Sequence, residues 1–329
     1  MPTGAGLEAA SSRGEVIERL KRLSTSPYEP ESPVAHPLVT LAVRLANRSR
    51  DASRWTPHLC HGSDAEKTEF EYGLAPVFLE TVAPWLAPDA MAGKAVLDVG
   101  CGWGGKAIYF AQHLGPSRME GFDLPGVFDP AAPLEFASRL GVSACAFRTG
   151  HAEAVPYGDA EFDLLLCEDV LEHVADPGRT LQECRRVLRG GGTLIALFPS
   201  FRMLDAHHLD RALTLPGLHY LLSMKAWAGG LNHYLLTHEG EATFEPFSEA
   251  IATAFHRCVT RDLNGMSFRQ FCDLVRVSGL ETETLRLLPR PTPDNGRSVW
   301  LKKLYRTLCR WPPLAEILCQ RVVYVARKP

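Results

Sequence analysis

Residues 96–105 read Val96-Leu97-Asp98-Val99-Gly100-Cys101-Gly102-Trp103-Gly104-Gly105. An aliphatic run meets glycines at alternate positions, and a helical pattern follows. Glycine accepts positive φ and lets a ligand approach the main chain, so the segment reads as a strand, a tight turn and a helix start. G-x-G-x-x-G alone is a weak signal, because nicotinamide- and flavin-binding proteins carry it too. Here Gly100, Gly102 and Gly104 also satisfy G-x-G-x-G, and Asp98 stands two positions before the first glycine.

Outward from that loop, short apolar runs alternate with helical patterns. The runs at 95–99, 119–122, 144–147, 162–167 and 193–198 predict five strands, and those at 282–288 and 321–326 predict two more. Such alternation predicts an α/β, doubly wound, mostly parallel sheet with helices on both faces. Ser63-x-x-Glu66 and Ser267-x-x-Gln270 are capping-box patterns that open two helices, the first running to about Val82 before Pro84. Asp176 followed by Pro177 predicts another N-terminus, and Gly190-Gly191-Gly192 is expected to end that helix and turn the chain into the fifth strand. Residues 15–23 and 38–47 suggest two short helices, separated by a proline-rich loop over 24–37.

The set of motifs resembles the class I S-adenosylmethionine-dependent methyltransferases, in the broad branch of ubiquinone-, menaquinone- and sterol-type enzymes. The glycine loop is similar to their first motif, and Glu120-Gly121-Phe122-Asp123-Leu124 to the end of their second strand. Gly150-His151-Ala152 resembles the adenine-side loop, 162–167 the fourth strand, 169–174 its following helix, and 188–194 the turn into the fifth strand. The resemblance covers roughly residues 92–200, with a weaker tail at 265–328. It implies a seven-stranded Rossmann-like fold whose last strand is antiparallel, with S-adenosyl-L-methionine as the cofactor. It also implies cofactor-binding roles for Asp98, Gly100, Cys101, Gly102, Gly104, Asp123, Leu124, His151, Ala152 and Cys167. Asp98 would orient the loop and the cofactor ammonium, and Asp123 would accept from the ribose hydroxyls, with Glu120 as the alternative acid. His151 and Ala152 would edge the adenine. Many relatives carry an acid where His151 stands. Glu153, Glu172 and His173 read as surface, capping or packing residues.

Residues 199–265 break the alternation, and a connection that long reads as a binding insertion or lid. Six of the twelve histidines fall between 207 and 256, interleaved with aromatic and apolar residues. The insertion follows the fifth strand, at the edge where open α/β sheets bind ligands. A hydroxyl acceptor needs a base, and histidine titrates nearest neutrality, so His207 and His219 are the candidate catalytic residues. No tight H-x-x-x-H spacing occurs, so no metal site is expected. From Arg297 to Pro329, eight Lys/Arg face the single acid Glu316. That bias reads first as an amphipathic helix with a solvated basic face, and secondarily as a membrane-surface contact.

Composition sets the remaining bounds. Charged residues make up 22% and hydrophobic residues 46% of the 329, with a formal net charge of −3. These are globular proportions, and the weak acidity argues against a nucleic-acid partner. No apolar run approaches the roughly 20 residues of a membrane span, and the first residues lack a leader pattern, which predicts a cytoplasmic location. Nine scattered cysteines without a C-x-x-C pair predict reduced thiols. The expected layout is an N-terminal extension, partly helical or disordered, over 1–63, then a methyltransferase domain over 64–329 with the insertion at 199–265. The expected reaction is methyl transfer to a small or medium, partly apolar molecule, most readily at oxygen. The oligomeric state is open. A nicotinamide-dependent oxidoreductase or a non-catalytic S-adenosylmethionine-binding protein would share the glycine loop. No Asn-Pro-Pro-Tyr-like or Asp-Pro-Pro-Tyr-like tetrapeptide follows the fourth strand, which disfavours amino methylation of adenine or glutamine.

Overall fold

A computed structural model describes residues 35–48, 63–126, 128–204, 206, 216–237, 263–290 and 299–329. The chain divides into two compact units, Gly62–Ala206 with Leu263–Pro329, and Met1–His61 with His207–Asp262. In chain order the helices are α1 (Ala35–Arg48), α2 (Asp64–Val82), α3 (Gly105–His113), α4 (Ala131–Arg139), α5 (Pro177–Val187), α6 (Leu218–Leu221), α7 (Met224–Thr237), α8 (Phe268–Val277), α9 (Val299–Leu308) and α10 (Pro312–Leu318). The strands are β1 (Ala95–Val99), β2 (Arg118–Asp123), β3 (Cys145–Thr149), β4 (Phe162–Glu168), β5 (Leu188–Phe198), β6 (Glu281–Pro289) and β7 (Cys319–Arg327).

The larger unit is built on one seven-stranded sheet of order β3-β2-β1-β4-β5-β7-β6. The first five strands pair in parallel, while β7 runs antiparallel to both β5 and β6. Every residue of the central β1 is buried, as its unbroken apolar run predicts, whereas the edge strands β3 and β6 are largely exposed. One face buries Ala75, Phe78 and Val82 of α2, Ile108 and Phe110 of α3, and Phe136 of α4. The other buries Leu181, Cys184 and Val187 of α5, and Phe271 and Val275 of α8. Both capping boxes form, and the Asp176 side chain accepts from the Arg179 amide at 2.9 Å. The seven described cysteines are all free thiols.

Two expectations change. Residues 169–174 form turns instead of a helix: the amides of His173 and Val174 both reach the Val170 carbonyl, and Asp169 sits in the left-handed region at φ 55°. The helix begins only at Pro177, whose missing N–H is tolerated at a first helical position. The glycine triplet likewise lies inside β5. Leu188 is fully buried and pairs with Phe162, so the strand starts before the glycines. They then bulge out, with Gly191 at φ 77°, until pairing resumes at Leu164 and Thr193.

In the smaller unit, α1 packs against α7. Val39, Ala42 and Val43 are buried, and a Cβ at Gly230 would fall 2.4 Å from a Val39 methyl. This close approach is why α7 carries a glycine there. Trp227 of α7 is also buried, its indole N–H donating to the Leu218 carbonyl at 2.9 Å. The expected helix at 15–23 lies outside the described residues.

Candidate active site at the carboxyl edge of the sheet

β1 delivers the chain to the glycine loop, in which Gly100, Gly102 and Gly104 all have positive φ. Gly104 is required twice over. Its φ is 76°, and a Cβ would lie 2.8 Å from both Phe147 and Pro133. Gly105 opens α3 where the α2 backbone crosses, because a Cβ there would come 2.1 Å from the Thr68 carbonyl oxygen.

That crossing supplies a clamp. The amides of Trp103 and Gly105 donate to one carboxylate oxygen of Glu71, at 2.9 and 3.3 Å. The Thr68 hydroxyl donates to the Trp103 carbonyl at 2.9 Å. Burial pushes the Glu71 carboxyl up to about 7, with Asp98 adding to the shift and Lys106 opposing it. Sequence reasoning missed Glu71, yet it left a trace. It lies in the helical stripe Thr68, Glu71, Ala75, Phe78 and Val82, whose other members are buried. An acid on such a stripe needs partners, and the loop amides are those partners.

Asp98, the penultimate residue of β1, is buried, and among the described residues nothing hydrogen-bonds its Oδ2. Burial raises its carboxyl to about 7, Glu168 and Asp123 push the same way, and Lys106 pulls it down. Burial alone would lower the Lys106 ammonium, but Glu168, Asp98 and Glu71 together hold it well above the usual lysine range. Lys106 donates to Glu168 at the end of β4. Beyond it, Arg321 at the start of β7 binds the Asp169 carboxylate at 2.6 and 3.2 Å and lies 3.6 Å from Glu168. The edge thus gathers Glu71, Asp98, Asp123, Glu168 and Asp169 around two cations, an excess of negative potential suited to a cationic ligand.

Asp123 ends β2 facing the loop. Its carboxylate accepts from the Gly102 amide at 2.8 Å and from the Leu124 amide at 2.7 Å, and Leu124 itself is exposed. A carboxylate retains lone pairs after two such bonds, so it can still receive hydroxyls. Glu120 is the alternative acid. It is buried within β2 and paired with Arg118 at 3.0 Å and Arg148 at 3.5 Å. The Gly150 amide donates to the Asp123 carbonyl and ties the third-strand loop to this corner, where His151 is exposed and Ala152 buried.

The thiols of Cys101 and Cys167 are buried in the two core layers; the Cys101 amide donates to the Phe122 carbonyl at 3.0 Å, and Cys167 is paired between β1 and β5. Glu172 is buried, not a surface residue. Burial raises its carboxyl to about 8, with Asp169 adding to the shift. Asn264 pins the turn that carries it, donating to the carbonyls of Leu171 and Val174 at 2.7 and 2.8 Å. Glu172, Pro199, Phe201 and Met266 line a small recess there. Glu153 has the capping role expected, accepting from the Ala175 amide at 2.9 Å. His219 belongs to the smaller unit, where it is buried with its ring 4.3 Å from that of Tyr220. His207 lies outside the described residues.

Residues 97–196 match the family described as a methyltransferase domain. A ubiquinone biosynthesis O-methyltransferase of Paracidovorax citrulli is 29% identical over 195 residues, covering 59% of this chain and 74% of that one. An uncharacterized 37.1 kDa protein in transposon TN4556 of Streptomyces fradiae is 35% identical over 127 residues, which are 38% of this chain and only 35% of the relative. The chain therefore spans about a third of one curated relative and three quarters of the other. Among solved structures, a geranyl diphosphate methyltransferase in complex with S-adenosylmethionine has a TM-score of 0.46 and 17% identity, covering 80% of this chain and 88% of that one.

Proposed function

Since the larger unit is a class I S-adenosylmethionine-dependent methyltransferase domain, we propose that the protein transfers the cofactor's methyl group to a small, partly apolar molecule, at oxygen. The observation that carries this reading is the buried Asp98 carboxylate. Its Oδ2 has no hydrogen-bond partner among the described residues, and it sits beneath a glycine loop at an acidic sheet edge. A buried carboxylate without a donor is costly unless a ligand supplies one, and an ammonium is the matching donor.

When bound, the cofactor supplies an electrophilic methyl on a sulfonium. The protein's part is to hold and orient. Asp98 receives the ammonium of the amino-acid tail. Asp123, fixed by the Gly102 amide, presents its remaining lone pairs to the ribose diol. Leu124, His151 and Ala152 edge the adenine, and the Glu71 clamp keeps the loop amides in place. Methyl transfer from a sulfonium is a displacement that neutralises charge, so most of the rate comes from in-line positioning and exclusion of water. For a hydroxyl acceptor a base must take the proton, and His207 and His219 are the imidazoles proposed for it.

The nicotinamide reading loses ground on topology. Doubly wound dinucleotide folds have strand order 3-2-1-4-5-6, whereas here an antiparallel β7 is inserted between β5 and β6. The test is calorimetry with S-adenosylmethionine and S-adenosylhomocysteine, followed by mass spectrometry of phenolic and hydroxylated apolar acceptors. Micromolar binding and a gain of one methyl on oxygen are expected. Folded protein that binds neither compound overturns the reading, and binding without transfer to any acceptor favours a cofactor sensor.

A further inference from the structure

Helix α9 and the turn after it leave an unusual surface. Trp300, Leu304 and Trp311 are 65%, 39% and 55% exposed, and the neighbouring Lys303, Arg306 and Arg310 are exposed as well. Among the described residues no carboxylate pairs with those three cations. Within α9, at about 100° per residue, Trp300 and Leu304 lie about 40° apart and Lys303 and Arg306 about 60° apart in an adjacent sector, while Arg310 and Trp311 follow in the turn after the helix. The helix is fastened to the domain from the opposite side. Tyr305 donates its hydroxyl to the Leu318 carbonyl at 2.9 Å and accepts from the Arg290 amide at 2.8 Å, and Cys309 is buried in the core. The seam between the apolar and basic stripes therefore points away from the body.

We propose that this seam is a docking surface for an anionic lipid bilayer, a role separate from methyl transfer. Tryptophan favours the headgroup boundary, where its ring is buried and its N–H stays wet. Lysine and arginine beside it place their charge among lipid phosphates while their stems cover apolar surface. Depth is limited to that boundary, because no helix among the described residues is long and apolar enough to cross a membrane. Charge selects this occupant over a second copy of the chain. A twofold self-contact through the apolar stripe would bring two basic rows together, whereas an anionic surface neutralises one.

The test is flotation of the full chain with phosphatidylcholine vesicles, plain or containing roughly a third phosphatidylglycerol. The protein should float with the anionic vesicles, remain behind with the plain ones, and be released by high salt. In a Trp300→Ala, Trp311→Ala, Lys303→Glu, Arg306→Glu variant the binding should fall by roughly 25-fold or more, since each cation near anionic lipid contributes about fivefold. Cofactor affinity measured on the same variant checks that it is folded, because none of the four residues lies in the cofactor site. Should that variant be misfolded, Trp300→Ala and Lys303→Glu singly must each still weaken flotation. Three results overturn the proposal: no flotation of the parent chain, equal flotation of the variants, or a dimer in solution that the tryptophan replacements dissociate.

Discussion

Asp98 ties cofactor affinity to pH in a direction that can be worked out beforehand. In the free protein its carboxyl is pushed up to about 7, by burial first and then by Glu168 and Asp123. A ligand ammonium requires the carboxylate, so binding must expel the proton wherever Asp98 is protonated. With a carboxyl near 7, about a tenth of the chains are ionised at pH 6 and about nine tenths at pH 8, so the Kd should drop roughly tenfold, or about 1.4 kcal/mol. S-Adenosylhomocysteine is the better probe, because its amine lacks a neighbouring sulfonium and stays protonated across that range. Calorimetry in two buffers of different ionisation enthalpy should count close to one proton released at about pH 6 and almost none at pH 8. Asp98→Asn should flatten the pH dependence and weaken binding at pH 8 by about 1.5–3 kcal/mol, the worth of a charged hydrogen bond. A Kd that is flat with pH, together with unchanged affinity in Asp98→Asn, would refute the assignment of the ammonium to this carboxylate.

The same raised carboxyls govern stability. Asp98 and Glu71 bind protons more tightly folded than unfolded, so the ligand-free chain should lose stability as pH climbs from the ordinary carboxylate range through about 7, read as a falling denaturation midpoint. Asp123→Ala should weaken cofactor binding by on the order of 1.5–3 kcal/mol with the fold intact; now that Glu120 is tied to two arginines, unchanged affinity would mean the ribose is held elsewhere. Lys106→Met leaves Glu168, Asp98 and Glu71 without their shared cation and should cost about 3–5 kcal/mol in chemical denaturation. Retained stability would show that these carboxyls simply take up protons. His219→Gln should lower turnover about 10²–10⁴-fold on a hydroxyl acceptor without changing cofactor Kd, and an unaltered turnover removes it as the base.

The seven strands were legible because each is signalled locally. An apolar run bounded by polar residues needs no knowledge of its neighbours, and the run at 95–99 coincides with β1 while the others end within five residues of β2 to β7. Asp98, Asp123 and the loop glycines were legible for a related reason, since their spacing along the chain is itself the motif. Glu71 was not, because its partners lie more than 30 residues downstream and meet it only where α2 crosses the loop. Arg321 was counted among the basic residues of the C-terminal segment, yet it sits partly buried on Asp169, a pairing created by the return of β7 beside β5. Glu172 was misread for a like reason. It was read as a surface or capping residue, whereas the turn stapled by Asn264, more than 90 residues away in sequence, carries it buried.

The α2 clamp bears on how this protein can be trimmed or grafted. The matched family segment begins at residue 97, whereas Thr68 and Glu71 stand well upstream of it. A fragment cut at the family boundary would keep every glycine of the loop and lose the two side chains that hold it rigid. Such a fragment would need to order the loop at the moment of ligand capture, at an entropic cost the intact chain has met beforehand. Exchanging α2 between relatives would then adjust ligand residence time through residues that never touch the ligand.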